Sequence, residues 1–207
     1  MTELYLYQTV HLARGRARNA EAHAARLDAA SRELFGRGYA PARLAARIEA
    51  LAAAERYPTG VSGFVRIELG ADGEERLTPA GVSLYDGYAL RSRMAERAGA
   101  DVAVRCDREG ILREADDAPL FAVAGHTVLA APGTQSVERE LTVRAVRAAG
   151  LELREEPFGC GELPRIDELF FADHRGITAL ARCDGQPLMS LIAERIALVM
   201  EGLFPKK

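Results

Sequence analysis

Lysine is almost missing from this sequence: of the 27 basic residues only Lys206 and Lys207 are lysine, and all the others are arginine. No side-chain amine therefore precedes Lys206. Arginine stays protonated and does not serve as a Schiff-base amine, so chemistry that needs an internal lysine has no donor through the body of the chain. Cysteine is scarce as well. Cys106, Cys160 and Cys183 are an odd number, widely spaced and without a CxxC, which argues against both a disulfide framework and a thiolate metal site. No block of charge of one sign occurs: 30 acidic residues are interspersed with the basic ones for a net charge of -3, so a nucleic-acid groove or a membrane-surface patch is not expected. No window is apolar over transmembrane length, and the opening MTELYLYQTV lacks the basic start and apolar run of a signal peptide, so a cytoplasmic, reduced protein is expected. Glycine-rich phosphate loops, GxSxG and HExxH are absent, as are repeats and low-complexity tracts.

What is present is an ordinary globular composition, 48% hydrophobic and 28% charged over 207 residues, enough for one sizeable core or two small ones. Leu4 to Val10 reads as a strand. Asn19 is placed to cap a helix that runs to about Leu34 and closes at Gly36, and Pro41 suits the first turn of a second helix carrying Leu44, Ile48 and Leu51. Val61 to Leu69 alternates as a strand, and Ala71-Asp72-Gly73 turns into another that ends near Pro79. Beyond Gly87 a short helix is expected over Tyr88 to Ala98, then strands at Val102 to Cys106 and around Leu112, Phe121 and Val128. A helix over Glu138 to Ala149, strands at Leu151 to Arg154, Glu168 to Phe171 and Ile177 to Arg182, and a closing helix from Leu188 to Leu203 complete the pattern. The expected organisation is an N-terminal α/β domain over residues 1–82 and a C-terminal α/β domain over 83–207, with a ligand cleft between them.

Several segments, in this order, resemble the class IV aminotransferases, the fold type IV group of pyridoxal-phosphate enzymes that includes branched-chain aminotransferases and aminodeoxychorismate lyase. They are YLYQTV, HAARLDAAS from His23 to Ser31 with its His-x-x-Arg-Leu pattern, FVRIEL from Phe64 to Leu69, and GADVAVRCDREGILREADDAPLF from Gly99 to Phe121. RELTVRAVRAAGLELREEPFGCGEL from Arg139 to Leu163 and DELFFADHRGI from Asp167 to Ile177 follow. The resemblance covers nearly the whole chain and implies a mixed α/β (α+β), two-domain fold of the D-amino acid aminotransferase type. It also implies a homodimer and pyridoxal phosphate as the family cofactor.

The resemblance assigns the cofactor contacts residue by residue, and this sequence departs from it in several of them. Gly87 falls where the family has its Schiff-base lysine. Glu114 matches the acid that meets the ring nitrogen, with a solvated strand-end carboxylate as the plain alternative, and Arg26 matches the arginine that contacts the phosphate. The phosphate loop corresponds to the segment around Ser136, Val137 and Glu138, where a carboxylate replaces the usual threonine and repels a dianion. Pro119 replaces an asparagine, and Ala172, Asp173 and His174 stand where hydroxyl or amide donors belong. Asp173 and His174, if both on a strand, point to opposite faces. His23, His126 and His174 are too scattered to suggest a metal site, and Cys160 reads as incidental. Catalytic candidates are Glu114, His174 and Asp173, with Arg26, Arg66 or Arg91 as anion partners for a small carboxylate.

These departures lead to the expectation of no cofactor: a protein independent of pyridoxal phosphate that uses the old cleft for a small carboxylate. Two alternatives stand beside it. One is a pseudoenzyme or regulatory partner, and the other a genuine pyridoxal-phosphate aminotransferase or lyase with a substituted lysine.

Overall fold

The computed structural model describes residues 4–83, 87, 91–92, 102–133 and 135–204. Contacts divide the chain into two compact units, Met1–Gly87 and Tyr88–Lys207.

In the first unit, strands β1 (Tyr5–Ala13), β2 (Arg16–Ala17), β3 (Ser62–Gly70) and β4 (Glu75–Ser83) form an antiparallel sheet in the order β2-β1-β3-β4. Alternation decides its two faces. Leu6, Val10 and Leu12 of β1 and Val65, Ile67 and Leu69 of β3 pack with helices α1 (Ala20–Phe35) and α2 (Leu44–Ala54) around Leu27 and Ile48. The residues between them in sequence, Tyr7, His11, Phe64 and Arg66, take the other face. There the Arg66 guanidinium lies 4.9 Å from the Tyr7 ring centre, and the His11 and Phe64 rings are 5.5 Å apart.

Helix α1 begins after Asn19 and ends at Gly36, both in the left-handed conformation, but Asn19 makes no side-chain capping bond. Helix α2 starts at Leu44, later than Pro41 suggests, with a left-handed Arg43 at its N-cap. Pro41 sits in the connection instead.

The second unit is built on β5 (Arg91–Ser92), β6 (Val104–Cys106), β7 (Leu112–Ala115), β8 (Ala118–Ala124), β9 (Thr127–Ala130), β10 (Glu152–Arg154), β11 (Glu168–Asp173) and β12 (Gly176–Leu180). Its main path runs β10-β9-β8-β11-β12-β5, and β7 joins β8 and carries β6. β10 is parallel to β9 and β5 to β12, and the remaining pairs are antiparallel.

Strands β8 and β11 are buried on both faces, which is why their sequences read as near-continuous apolar runs. One face holds Phe121, Val123 and Phe170 under α3 (Val137–Ala148) and α4 (Leu191–Gly202). The other holds Leu120, Leu169 and Phe171 under Phe158 and Leu163, the latter in a 3-10 turn, Cys160–Arg165.

The helix expected over Tyr88 to Ala98 does not include Arg91–Ser92, which pair with Thr178 and Ala179 along the free edge of β12. An open strand edge offers unpaired amides and carbonyls, and that pairing overrides local helical propensity. The other residues of that expected helix lie outside the described residues. So do Leu84, Tyr85 and Asp86 before Gly87, and both lysines. No described helix is long and apolar enough to cross a membrane.

Candidate functional site

Gly87, the position the resemblance gives to lysine, is buried with φ +79°, a left-handed backbone that costs a side-chain-bearing residue about 1–2 kcal/mol. Its N–H donates to Ser62 Oγ at 2.9 Å, and the same hydroxyl meets His11 Nε2 at 2.6 Å. Ser62 and His11 are 0% and 1% exposed, so this short chain of polar groups is shielded from water. Position 87 is thus set for glycine in its backbone as well as in its side chain.

Sequence reading missed Ser62 and His11. The signal available was a serine and a histidine on the residues of β1 and β3 that alternate away from the helices. Ser62→Ala is expected to cost about 1–3 kcal/mol, because it leaves a buried amide at Gly87 without its acceptor. Thermal or urea unfolding measures this, and an unchanged midpoint would show that water replaces the hydroxyl freely.

Elsewhere in the first unit, His23 is fixed on α1 by a 2.9 Å contact between Nδ1 and Gln8 Oε1. It orients the helix face that carries the half-buried Arg26, one turn further on. Arg66 is half-buried on β3, and its Nε is shielded from solvent with no hydrogen-bond partner among the described residues. The side chain of Arg91 lies outside the described residues.

In the second unit, strand register gathers the remaining candidates at one edge of the sheet. Glu114 at the end of β7 pairs with Pro119 at the start of β8, while the neighbouring Leu120 pairs with Phe171 near the end of β11. Leu120 O also accepts from Ala131 N at 3.1 Å, where β9 leads out toward α3. Glu114, the segment that enters α3 and the Ala172–His174 end of β11 therefore share one side of the unit.

Each candidate has its own surroundings. The Glu114 carboxylate is partly exposed and lies 4.0 Å from the Arg105 guanidinium, its cross-strand neighbour. Ser136 is the N-cap of α3, and its Oγ accepts from Arg139 N at 3.1 Å. Val137 is buried, and Glu138 and Glu140 put two carboxylates in the first turn. Those charges complement the positive end of the helix and reduce its attraction for an added anion. The Arg139 side chain turns inward, 3% exposed, and donates to Ala131 O at 2.7 Å and Glu155 Oε2 at 3.2 Å. It braces the segment that enters the helix rather than offering a charge to a ligand.

Ala172 is packed in the apolar core, so its side chain offers nothing to a ligand. Asp173 closes the β11–β12 hairpin: Oδ1 accepts from Arg175 N at 2.8 Å and Oδ2 from Arg175 Nε at 3.2 Å. His174 falls in that turn and not on the strand, so the expected opposition of Asp173 and His174 across a strand does not arise. No group of three metal-ligating side chains occurs among the described residues.

Pyridoxal phosphate makes an amine contact, a ring-nitrogen contact and phosphate contacts. Of the described residues, Glu114 carries a carboxylate that matches the second, while the helix start at Ser136 and Val137, which corresponds to the third, bears Glu138 and Glu140 in its first turn. The described residues supply no amine.

No family model matches the sequence, and no curated protein matches it. Solved structures do. An aminotransferase from Brucella abortus bound to pyridoxal phosphate (PLP) superposes with a TM-score of 0.72 at 17% identity, over 94% of this chain and 87% of that one. A hypothetical aminotransferase from Mycobacterium tuberculosis, in its α-ketoglutarate- and PMP-bound form, gives 0.73 at 16% identity over 96% and 88%. A candidate 4-amino-4-deoxychorismate lyase from Legionella pneumophila gives 0.76 at 14% identity over 97% and 91%.

These matches overturn the expectation of no cofactor, because structures of this fold hold PLP or PMP. The physical reason is that ring and phosphate contacts can hold such a molecule independently of a covalent bond, so a missing lysine does not by itself exclude the cofactor. The chain has the fold of the class IV aminotransferases, the fold type IV pyridoxal-phosphate enzymes that its motifs resemble.

Proposed function

We propose that this chain is a class IV aminotransferase-like protein that takes a pyridoxal-phosphate-type cofactor without a lysine bond and acts on a small carboxylate. The observation that carries the reading is that strand register puts Glu114, the segment leading into α3 and the end of β11 on one side of the second unit. Glu114 is the acid for the ring nitrogen, where a carboxylate stabilises the protonated pyridine. Ser136 and Val137 present the helix start to the phosphate. When bound, such a cofactor supplies an electron sink for chemistry at the α-carbon of an amino or keto acid. The homodimer implied by the resemblance belongs to the same reading.

The test is equilibrium binding of PLP and PMP to the folded chain. One molecule per chain is expected to bind and to come off on dialysis. Borohydride is expected to leave no adduct outside Lys206, Lys207 and the N-terminal amine. Glu114→Ala is expected to weaken binding at least tenfold, which is about 1.4 kcal/mol. A folded chain that binds neither compound at millimolar concentration, or a Glu114→Ala variant that binds equally well, sinks the proposal.

A further inference from the structure

One guanidinium in the second unit stands between two carboxylates, and one of these is Glu114. Arg105 on β6 is the cross-strand partner of Glu114 on β7. Its Nη1 lies 2.5 Å from Asp117 Oδ1 but 4.0 Å from Glu114 Oε2, so the tight ion pair goes to Asp117 and Glu114 is left at the limit of one. Strand register and exposure both favour the opposite choice. Glu114 is the residue directly across from Arg105, and its side chain is 29% exposed against 70% for Asp117, so attraction to it is the less screened of the two.

The turn between β7 and β8 explains the choice. Only Asp116 and Asp117 join these strands, and their φ values of +49° and +61° are both left-handed. Glycine is the usual second residue of such a turn, so Asp117 holds a carboxylate where glycine costs less. The turn is also fixed from the side of β6: Asp116 N donates to Ala103 O at 3.1 Å, just before that strand begins. Its backbone therefore keeps the Asp117 carboxylate within reach of Arg105.

We propose that Asp117 and Arg105 are positioning residues for Glu114: Asp117 holds the guanidinium aside and so keeps the Glu114 carboxylate open to the cationic ring of a bound ligand. This rests on the reading of Glu114 as the ring-nitrogen contact. Without the Asp117 charge, Arg105 closes on Glu114. That pairing neutralises the carboxylate and sets a positive charge beside the place where a protonated pyridine needs a negative one.

Asp117→Asn removes the charge and keeps the turn, because asparagine takes the left-handed conformation as readily as aspartate. The first measurement uses the full chain without ligand. Urea unfolding of Arg105→Gln, Glu114→Gln and the double variant gives the coupling between these two residues, and it is expected to be larger in the Asp117→Asn background than in the parent. The second measurement is equilibrium binding of PLP and PMP. Asp117→Asn is expected to weaken it by roughly threefold, the scale of one exposed ion pair. Adding Arg105→Gln is expected to restore it, a rescue that a merely structural role of the turn would not give.

Equal coupling in the two backgrounds overturns the proposal. So does binding that Asp117→Asn leaves unchanged, or weakens without rescue by Arg105→Gln, in a parent that binds PLP. If the parent binds neither compound, the reading of Glu114 as a ring contact falls instead, and the coupling alone decides whether Asp117 holds Arg105 away.

Discussion

Replacing Phe170 with alanine is expected to destabilise the C-terminal unit by about 3–5 kcal/mol, the range for removing a fully buried aromatic side chain. Phe170 is 0% exposed and sits opposite Phe121 across β8 and β11, the rings stacked with centroids 5.2 Å apart. The loss combines the transfer of a large apolar surface, a cavity that α3 and α4 close only in part, and about 1 kcal/mol of ring pairing. Against a typical domain stability of about 5–15 kcal/mol, that is enough to leave the unit partly unfolded near physiological temperature. Phe170→Leu keeps most of the volume and is expected to lose less than about 1.5 kcal/mol. Urea unfolding followed by circular dichroism measures both. A loss under 1 kcal/mol for the alanine variant would show that this face of the sheet repacks freely and is not the core described above.

Glu168→Ala is expected to cost about 3 kcal/mol, a large effect for one carboxylate and one that its own segment does not explain. Glu168 is 1% exposed at the start of β11. Its two oxygens accept from Ile192 N and Ala193 N, each at 2.8 Å, in the first turn of α4. Ser190, the N-cap of that helix by position, makes no side-chain capping bond. A strand residue thus does the work of the cap, and its charge faces the positive end of the helix. Alanine leaves two amides without partners in a buried place. Glu168→Gln retains one acceptor but brings an amide N–H toward a backbone N–H, so roughly half of the loss is expected. A glutamine variant as stable as the parent would show that the carboxylate charge contributes nothing.

Much of the architecture can be read from local pattern. Helix α1 ends at Gly36 because glycine alone takes the left-handed turn there without penalty, and the alternation in FVRIEL is that of a strand with one face under helices. Helix α3 is set by Ser136 at its cap, with Glu138 and Glu140 in its first turn. The reading failed where a long-range partner decided the outcome. Arg91 and Ser92 pair with the edge of β12, and α2 starts after Pro41 instead of at it. The candidate site shows the same division. Gly87, Glu114 and Ser136 could be picked out one by one from their segments. That Asp173 is spent on a hairpin turn and Ala172 on the core could not, because both depend on which strand lies beside β11.

By itself, the sequence determined that no lysine precedes Lys206 and that the first unit presents one apolar face to its helices. Both follow from residue identity and spacing, which folding does not alter. Only the tertiary structure decided that Ser62 holds the Gly87 amide and that Glu168 caps a helix 24 residues away. Each of these depends on register between segments far apart in the chain, and register is set by the burial of whole sheet faces, a property that no single window of sequence contains.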